Sequence, residues 1–400
     1  MPQTRTRRPY RAGGLVAVVI AAVLSATAPP AHAAPEGRTA GAGAPGAVDG
    51  SYLVTLEGGT AASSAAGRDV AETYGAKISH TYRAALNGYA VRADPARARR
   101  LAADPRVVSV VQDTAVRLDH RQRNPPSWGL DRIDQPARPL DHRYASPDSG
   151  GAGVTVYVID TGIRVTHRDF GGRAGDGWDF VDGDRTAGDG NGHGTHVAGT
   201  IAGRTYGVAK KARVVAVRVL DDAGAGTTAQ VIAGIDWVTS HARKPAVANL
   251  SLGGPANAQL DTAVRNSIAS GVTYAVAAGN DGLSASLYSP ARVGEALTVG
   301  ATGRNDARAG FSNFGPRVDL FAPGVSITSA SHTGDTAEAT LSGTSMATPH
   351  VTGAAALYLA GHPGASPARV GKALVERASR GKVTGEGPGS PDRLLRTSRP

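Results

Sequence analysis

Four short segments of the sequence carry side chains that can take part in nucleophilic catalysis. Three of them contain Asp160, His193 and Ser345, and the fourth ends in Asn280. A serine hydroxyl attacks a carbonyl efficiently when a histidine takes its proton, and a carboxylate can orient that histidine. A side-chain amide can then stabilise the negative charge that develops on the attacked carbonyl. These four residues are therefore a candidate catalytic set.

The aspartate and the histidine each have an alternative explanation. Asp160 ends an apolar run, so we expect it at the carboxyl end of a buried strand, although the tripeptide Asp-Thr-Gly that it begins is also a common turn. His193 begins a predicted helix, and His196 follows three residues later on the same helical face. Two histidines with this spacing can also bind a metal ion. No convincing third ligand lies nearby in the sequence.

The serine and the asparagine have alternatives as well. Ser345 lies at the start of a predicted helix, where unpaired backbone N–H groups and the positive end of the helix favour a nucleophile that becomes the neighbour of an oxyanion. A serine before a helix is also the usual N-cap. Asn280 follows a buried strand and can direct its amide at developing negative charge, or it can be a turn residue.

The elements that must position these side chains follow from the hydrophobic pattern beyond about residue 150. Apolar, β-branched runs alternate there with segments of helical spacing, which predicts strands covered on both faces. The predicted strands are Val154–Ile159, Val214–Leu220, Val247–Leu252, Thr273–Ala278 and Ala296–Val299, and the predicted helices are Thr227–His241, Gln259–Ser270 and Thr344–Leu359. This alternation predicts an α/β domain with a doubly wound parallel sheet, whose active crevice lies at the carboxyl ends of the strands.

The first 120 residues divide into three predicted segments. Residues 1–33 combine a charged start, a short apolar run and a small-residue cleavage site, which is typical of a secretory signal peptide. Residues 34–50, rich in Gly, Ala and Pro, are predicted to be a flexible linker. Residues 51–120 have the order strand–helix–strand–strand–helix–strand of a small α+β ferredoxin-like domain. The polar stretch His120–Pro126 is a candidate cleavage region before the main domain, residues 121–400.

Composition excludes several classes of function. The chain has no cysteine, which rules out disulfides, thiolate metal sites and a cysteine nucleophile. Its formal net charge of +10 is not gathered in a basic stripe with interleaved aromatic residues, so we expect no nucleic-acid partner. After the signal peptide no apolar stretch reaches the length of a membrane span. We therefore expect a secreted, extracellular protein without a membrane anchor.

Together the four segments resemble those of the subtilisin family (subtilases), and within it the proteinase K-like branch. The matching blocks are Val158–Gly162, His193–Gly199, Ser251–Gly254, Ala277–Asn280 and Gly343–Val351. The resemblance extends from about Trp128 to Leu395, and residues 51–118 resemble the inhibitory propeptide of that family. The order Asp, His, Ser along the chain is also the order of this family.

The resemblance implies a role for each site residue. Ser345 would be the nucleophile, His193 the general base and acid, and Asp160 the group that orients the imidazole. The Asn280 side chain and the Ser345 backbone N–H would form the oxyanion hole. The substrate would pair with the backbone of Ser251, Leu252 and Gly253 as an added strand, and the primary specificity pocket would be lined by Gly253, Gly254, Ala277, Ala278 and Gly279.

The resemblance also implies a structural calcium ion, with no cofactor needed for catalysis. By position the ligands would be the Asp319 carboxylate and the backbone carbonyls of Gly294 and Ala296, an oxygen set that suits calcium. This sequence has Gly294 where proteinase K has proline, and it lacks the cysteines of proteinase K. The expected role of the ion is stability.

These observations predict a serine endopeptidase of broad specificity that cleaves polypeptides after apolar or aromatic residues. It would be made as a self-processing precursor with its own propeptide as an intramolecular inhibitor, and we expect a monomer. Two other classes of function remain open. The same triad hydrolyses esters or transfers acyl groups to amines, and the fold can serve binding alone.

Overall fold

A computed structural model describes residues 36–43, 47–82, 87–114 and 122–397 of the chain. The chain forms two compact units, Met1–Leu118 and Asp119–Pro400. The predicted signal peptide lies outside the described residues, and so does the start of the candidate cleavage region, up to residue 121.

The first unit is a four-stranded antiparallel sheet with two helices. Its elements are β1 (Ala47–Leu56), α1 (Ala65–Thr73), β2 (Lys77–Tyr82), β3 (Gly88–Arg92), α2 (Pro95–Leu101) and β4 (Val107–Thr114). The sheet order β2-β3-β1-β4 together with this chain order is that of a ferredoxin-like domain, as predicted. Helix α1 begins after Ser64, whose hydroxyl caps it by accepting from Gly67 N–H.

The second unit contains the remaining elements. Its helices are α3 (Trp128–Ile133), α4 (His193–Ala202), α5 (Thr228–His241), α6 (Ala258–Ala269), α7 (Thr344–Gly361) and α8 (Pro367–Arg377). Its strands are β5 (Gln122–Arg123), β6 (Arg143–Tyr144), β7 (Thr155–Asp160), β8 (Ala174–Asp179), β9 (Arg213–Arg218), β10 (Ala246–Leu250), β11 (Gly254–Pro255), β12 (Thr273–Ala277), β13 (Tyr288–Ser289), β14 (Leu297–Thr302), β15 (Leu320–Pro323), β16 (Ile327–Ala330), β17 (Glu338–Leu341), β18 (Ser379–Arg380) and β19 (Arg393–Leu394).

The central sheet has nine strands in the order β18-β19-β15-β14-β12-β10-β7-β9-β8. All neighbours are parallel except β18 and β19, so the sheet is parallel as predicted, with one antiparallel edge pair that the sequence pattern did not indicate. The chain adds β9 and β8 on one side of β7 and β10 on the other. This reversal of direction between β7 and β10 is a topological switch point, where α/β sheets bind their ligands.

Helices cover both faces of the central sheet and divide its core in two. One hydrophobic cluster includes Val197 and Ile201 of α4 and much of α7, and the other includes Ile235 of α5 and Val264 of α6. Helix α7 is buried along most of its length, and most of its buried residues are alanine, glycine or threonine, which let neighbouring elements pack closely around it. A helix that is buried on all sides has few ways to move, so its first turn is held in place by packing.

Candidate active site

Three adjacent parallel strands of the central sheet end at the site. Asp160 is the last residue of β7, Ser251 directly follows β10, and Ala278 directly follows β12. The carboxyl ends of parallel strands meet at one edge, so the segments that contain Asp160, Ser251 and Asn280 converge there although they are far apart in sequence.

Asp160 and His193 form a short hydrogen bond at this edge. Asp160 is fully buried, and its Oδ1 lies 2.7 Å from His193 Nδ1 and accepts from Thr161 N–H at 2.8 Å. The His193 side chain is 26% exposed, so its outer face remains open to a substrate. Burial by itself would lower the pKa of His193, but the charge of Asp160, its hydrogen bond and the charge of Asp189 together raise that pKa above its ordinary value. The ring is thus oriented, and its protonated form is stabilised.

A second aspartate, Asp189, holds the start of the helix that carries His193. Its Oδ1 accepts from Gly192 N–H at 2.7 Å and from the Thr161 hydroxyl at 2.9 Å, and its Oδ2 accepts from Thr195 N–H at 2.8 Å. A carboxylate in this position satisfies N–H groups at the first turn of α4 that have no partner in the helix. The end of β7 and the start of α4 are in close contact here. A Cβ on Gly194 would lie only 2.1 Å from the Gly162 carbonyl oxygen. Asp189 therefore fixes His193 relative to the end of β7.

The charge of Asp189 gives a prediction for the pH profile. His193 must be neutral to take a proton, so kcat/KM falls as the pH drops through the pKa of His193. Asp189→Asn removes a negative charge that raises this pKa, and the acidic limb of the profile should shift to lower pH. The matched control is Asp236→Asn, an exposed aspartate on α5. An acidic limb that stays in place in Asp189→Asn would rule out electrostatic control of His193 by Asp189.

Ser345 lies in the first turn of α7 and is joined to Ser251 in both directions. Its hydroxyl donates to the Ser251 carbonyl at 3.0 Å, and the Ser251 hydroxyl donates to the Ser345 carbonyl at 2.9 Å. The Ser345 hydroxyl thus bonds to the end of β10 and not to His193 in this structure. Catalytic hydrogen bonds often form only when substrate is bound. The Ser345 N–H belongs to the first turn of α7, whose N–H groups lack intrahelical acceptors.

Asn280 is held with its carbonyl oxygen turned toward the start of α7. Its Oδ1 accepts from Thr344 N–H at 2.8 Å and from the Thr344 hydroxyl at 2.9 Å. The Thr344 hydroxyl in turn accepts from Gly279 N–H at 3.2 Å. Both of these bonds from Thr344 use the side-chain oxygen of Asn280, which leaves Nδ2 to donate to another acceptor. Gly279 has a φ of +103°, and a Cβ there would lie 2.3 Å from Asn313 Nδ2, so this turn requires glycine.

A cavity of about 360 Å³ opens beside Ser345. Its lining comprises Leu252, Gly253, Gly254, Pro255, Ala277, Ala278, Gly279, Asn280, Asp281, Tyr288, Ser289, Ala291, Thr344 and Ser345. The five residues assigned to the specificity pocket and Leu252 are therefore brought together, whereas Ser251 contacts Ser345 without lining the cavity. Tyr288 also lines the cavity, which the sequence pattern does not indicate. Desolvation and the neighbouring Asp281 carboxylate raise the pKa of Tyr288.

Two further histidines near the site, His196 and His350, are buried. His196 bonds to the Ile327 carbonyl at 2.9 Å and His350 to the Met346 carbonyl at 2.9 Å, and burial lowers the pKa of each to about 4. His193 and His196 thus have separate partners, Asp160 and a backbone carbonyl. Within the described ranges no three His, Cys, Asp or Glu side chains are grouped so as to hold a metal ion. The alternative of a histidine metal site has no support here.

The three residues assigned to calcium lie around the start of β14. Asp319 Oδ2 accepts from Thr298 N–H at 2.8 Å, and burial raises the pKa of Asp319 to about 6. Desolvation has the largest effect on this pKa, and the opposing effects of the Thr298 N–H, Arg393 and Arg317, which lower it, do not offset that rise. One carboxylate and two backbone carbonyls are hard oxygen donors, so the residues present fit calcium in kind.

Residues that orient the candidate catalytic groups were missed by the sequence reasoning. Asp189 lies four positions before His193 in a Gly- and Asp-rich loop, and Thr344 directly precedes Ser345. A carboxylate or hydroxyl just before a predicted helix is a usual capping residue, and that preference is the only trace of their role in the sequence. The contact of Asp189 with Thr161 spans 28 positions and that of Thr344 with Gly279 spans 65, so neither can be read from the local pattern.

Comparison with known proteins places both units in described families. Residues 151–394 match the family described as "Subtilase family", and residues 51–119 match "Peptidase inhibitor I9". An "Extracellular serine proteinase" of Thermus sp. (strain Rt41A) is 49% identical, over 96% of this chain and 99% of that protein. A "Cuticle-degrading serine protease" of Arthrobotrys oligospora is 40% identical, over 95% of this chain and 98% of that protein.

A solved structure resembles this chain in sequence and in fold. It is described as the crystal structure of a cold adapted subtilisin-like serine proteinase and is 52% identical to this chain. The match covers 68% of this chain and 98% of that chain, with a TM-score of 0.66.

Proposed function

The chain belongs to the subtilase family, and on this premise we propose that it is a secreted endopeptidase whose nucleophile is Ser345. As a member of this family it is a serine protease. Residues 51–119 are a propeptide domain of the peptidase inhibitor I9 family, so the protein is made as a precursor. The observation that carries the assignment of residues is the 2.7 Å bond between Asp160 and His193, at the sheet edge where Ser345 lies in the first turn of α7.

The proposed mechanism uses each group at a stated atom. The Ser345 Oγ–H leaves the Ser251 carbonyl and gives its proton to His193 Nε2 as Oγ attacks the peptide carbonyl. Asp160 stabilises the imidazolium through Nδ1. Asn280 Nδ2 and the Ser345 N–H donate to the oxyanion. His193 then protonates the leaving amine, and a water activated by the same ring hydrolyses the acyl-enzyme.

The cavity beside Ser345 supports broad specificity for apolar or aromatic residues at the cleaved position. Glycine and alanine leave a volume of about 360 Å³, enough for a large side chain, and among the described residues that line it only Asp281 is charged. The exposed backbone of Gly253 is placed to pair with an extended substrate. Sequencing the products of a mixed peptide substrate tests this proposal, and cleavage confined to basic or acidic residues would contradict it.

Secretion, self-processing and a monomeric state complete the proposal. The Thermus relative is named as extracellular, and this sequence begins with a segment typical of a signal peptide. No helix in the described part of the chain is long and apolar enough to cross a membrane. Release of the propeptide by the enzyme itself follows from the pairing of an inhibitor domain with a protease domain on one chain, and the propeptide domain would inhibit until it is removed. The proposed segments are the signal peptide 1–33, linker 34–50, propeptide 51–120 and peptidase 121–400.

A calcium ion at Asp319, Gly294 and Ala296 is part of the proposal as a stabilising group. Without a cation, the raised pKa of Asp319 means that the fold favours the neutral carboxyl, and stability is lost as the pH rises through about 6. Calcium would offset this loss by binding the charged carboxylate. The difference in Tm between calcium and chelator should therefore be larger at pH 8 than at pH 5.

Two variants test the calcium proposal. Asp319→Asn should abolish the effect of calcium on Tm, whereas Glu295→Gln, which alters an exposed carboxylate paired with Arg265, should retain it. Calorimetry of both variants with calcium and with chelator is the measurement. An unchanged calcium effect in Asp319→Asn would place any ion elsewhere.

The alternative of ester hydrolysis or acyl transfer uses the same groups. Comparing kcat/KM for casein with that for a small activated ester separates the two. The proposed function predicts efficient casein digestion, and turnover of the ester alone would contradict an endopeptidase.

A further inference from the structure

Helix α7 contains a proline at the position where the Ser345 carbonyl would find its hydrogen-bond donor. In an α-helix the carbonyl of each residue accepts from the N–H four residues later. Pro349 lies four residues after Ser345 and has no N–H, and a proline ring also crowds the carbonyl at that distance. The carbonyl of the proposed nucleophile is therefore free of the hydrogen-bond ladder of its own helix.

The Ser251 side chain supplies the missing donor. Its hydroxyl donates to the Ser345 carbonyl at 2.9 Å, and Ser251 is only 3% exposed. An unpaired carbonyl in such surroundings would cost stability, so the hydroxyl has a structural role at least.

The direction of this hydroxyl is set by two further buried residues. Asn249 Nδ2 donates to Ser251 Oγ at 2.9 Å, and the Thr352 hydroxyl donates to Asn249 Oδ1 at 2.8 Å. Asn249 and Thr352 are both fully buried. Since Ser251 Oγ already accepts from Asn249, its single hydrogen is left for Ser345. The relay Thr352–Asn249–Ser251 thus leads from the middle of α7, through β10, back to the first turn of α7.

The relay ends on the residue that reacts. Ser251 and Ser345 exchange two hydrogen bonds, so both the carbonyl and the hydroxyl of Ser345 are tied to the end of β10. When the hydroxyl leaves for His193, the bond from Ser251 to the Ser345 carbonyl remains. It then continues to hold the Ser345 backbone at the end of β10, and a small displacement of a reacting atom lowers rates strongly.

We propose that Ser251, oriented by Asn249 and Thr352, is a positioning residue that holds the Ser345 backbone for attack, in a place that Pro349 leaves open. The proposal rests on the proposed function, in which Ser345 is the nucleophile. Ser251→Ala should lower kcat about tenfold and leave KM within about twofold, because the hydroxyl contacts Ser345 and does not line the substrate cavity.

Adding Pro349→Ala to Ser251→Ala distinguishes two roles of the Ser251 hydroxyl. It can position Ser345 for attack, or it can only give the buried Ser345 carbonyl a hydrogen-bond donor. Alanine at 349 restores the N–H that an α-helix directs at the Ser345 carbonyl. In the double variant Ser251→Ala/Pro349→Ala, the Tm lost in Ser251→Ala should return, while kcat should stay low because the bond from the Ser251 hydroxyl to the Ser345 carbonyl is still absent. A double variant that regains both Tm and kcat would reduce Ser251 to a structural role and overturn the proposal.

Thr352→Val tests the far end of the relay with an isosteric side chain. We expect kcat to fall severalfold with KM unchanged. The matched control is Thr200→Val, a buried threonine of α4 whose hydroxyl bonds only to the His196 carbonyl of its own helix, and its kcat should be that of the wild type. If Ser251→Ala does not accumulate as folded protein, Thr352→Val decides, and a wild-type kcat there overturns the proposal. Activity retained by Ser345→Ala would instead refute the proposed function itself.

Discussion

Ser345→Ala is expected to abolish proteolysis and to leave the precursor at full length. Without Oγ no acyl-enzyme forms, and loss of this nucleophile in an enzyme of this family costs about 10⁶ in kcat. The propeptide should remain attached, because we propose that the same active site cuts the chain near residue 120. Mass spectrometry of the purified precursor and a casein assay are the measurements.

Two controls make this result specific. A trace of wild-type enzyme added to the Ser345→Ala precursor should release the propeptide, which shows that the cleavage region is accessible. Ser342→Ala removes a hydroxyl three residues earlier that bonds to Ser326 N–H and not to the site, and it should process normally. Normal processing of Ser345→Ala in the absence of any other protease would refute self-cleavage.

Asn280→Leu is expected to lower kcat by about 10²–10³, the loss found when a subtilisin loses one oxyanion-hole donor. KM should change little, because the lost donor acts on charge that exists only near the transition state. The two bonds from Thr344 hold the Asn280 oxygen, so we expect the amide nitrogen to donate to the oxyanion. Steady-state kinetics on a peptide substrate gives both constants.

Thr344→Val provides a graded comparison for Asn280. It keeps the Asn280 amide but removes the hydroxyl that holds its oxygen, so its loss in kcat should be smaller than that of Asn280→Leu. Equal losses of kcat in the two variants would mean that the Asn280 amide acts only when the Thr344 hydroxyl orients it. A kcat for Asn280→Leu within about twofold of wild type would make Asn280 a turn residue and nothing more.

The sequence predicted the main elements of the fold because each has a strong local pattern. The apolar, β-branched run at Val154–Ile159 predicted β7 to within one residue, and the start of α7 at Thr344 agreed. Strand β8 was missed because its sequence, Ala174–Asp179, has two glycines and two aspartates and no apolar alternation. Strand β15 has only four residues, and the edge strands β18 and β19 have two each, too few for any periodicity.

The candidate site was predicted as a set of residue types but not as a geometry. Asp160, His193 and Ser345 were found because each adjoins a predicted strand end or helix start. The orienting contacts of Asp189 and of the Ser251 hydroxyl could not be found this way, because they join residues that are distant in sequence. Pro349 was visible as a helix-internal proline, but only the fold shows which side chain takes the place of its missing N–H.

The central claim, a serine protease whose nucleophile is Ser345, is tested most directly by mapping a covalent label. The processed protein is treated with a fluorophosphonate, digested, and analysed by mass spectrometry. The account predicts one labelled residue, Ser345, with labelling that declines below the pKa of His193 as the imidazole becomes protonated. A folded, proteolytically active protein that carries the label on another residue, or takes none, would contradict it.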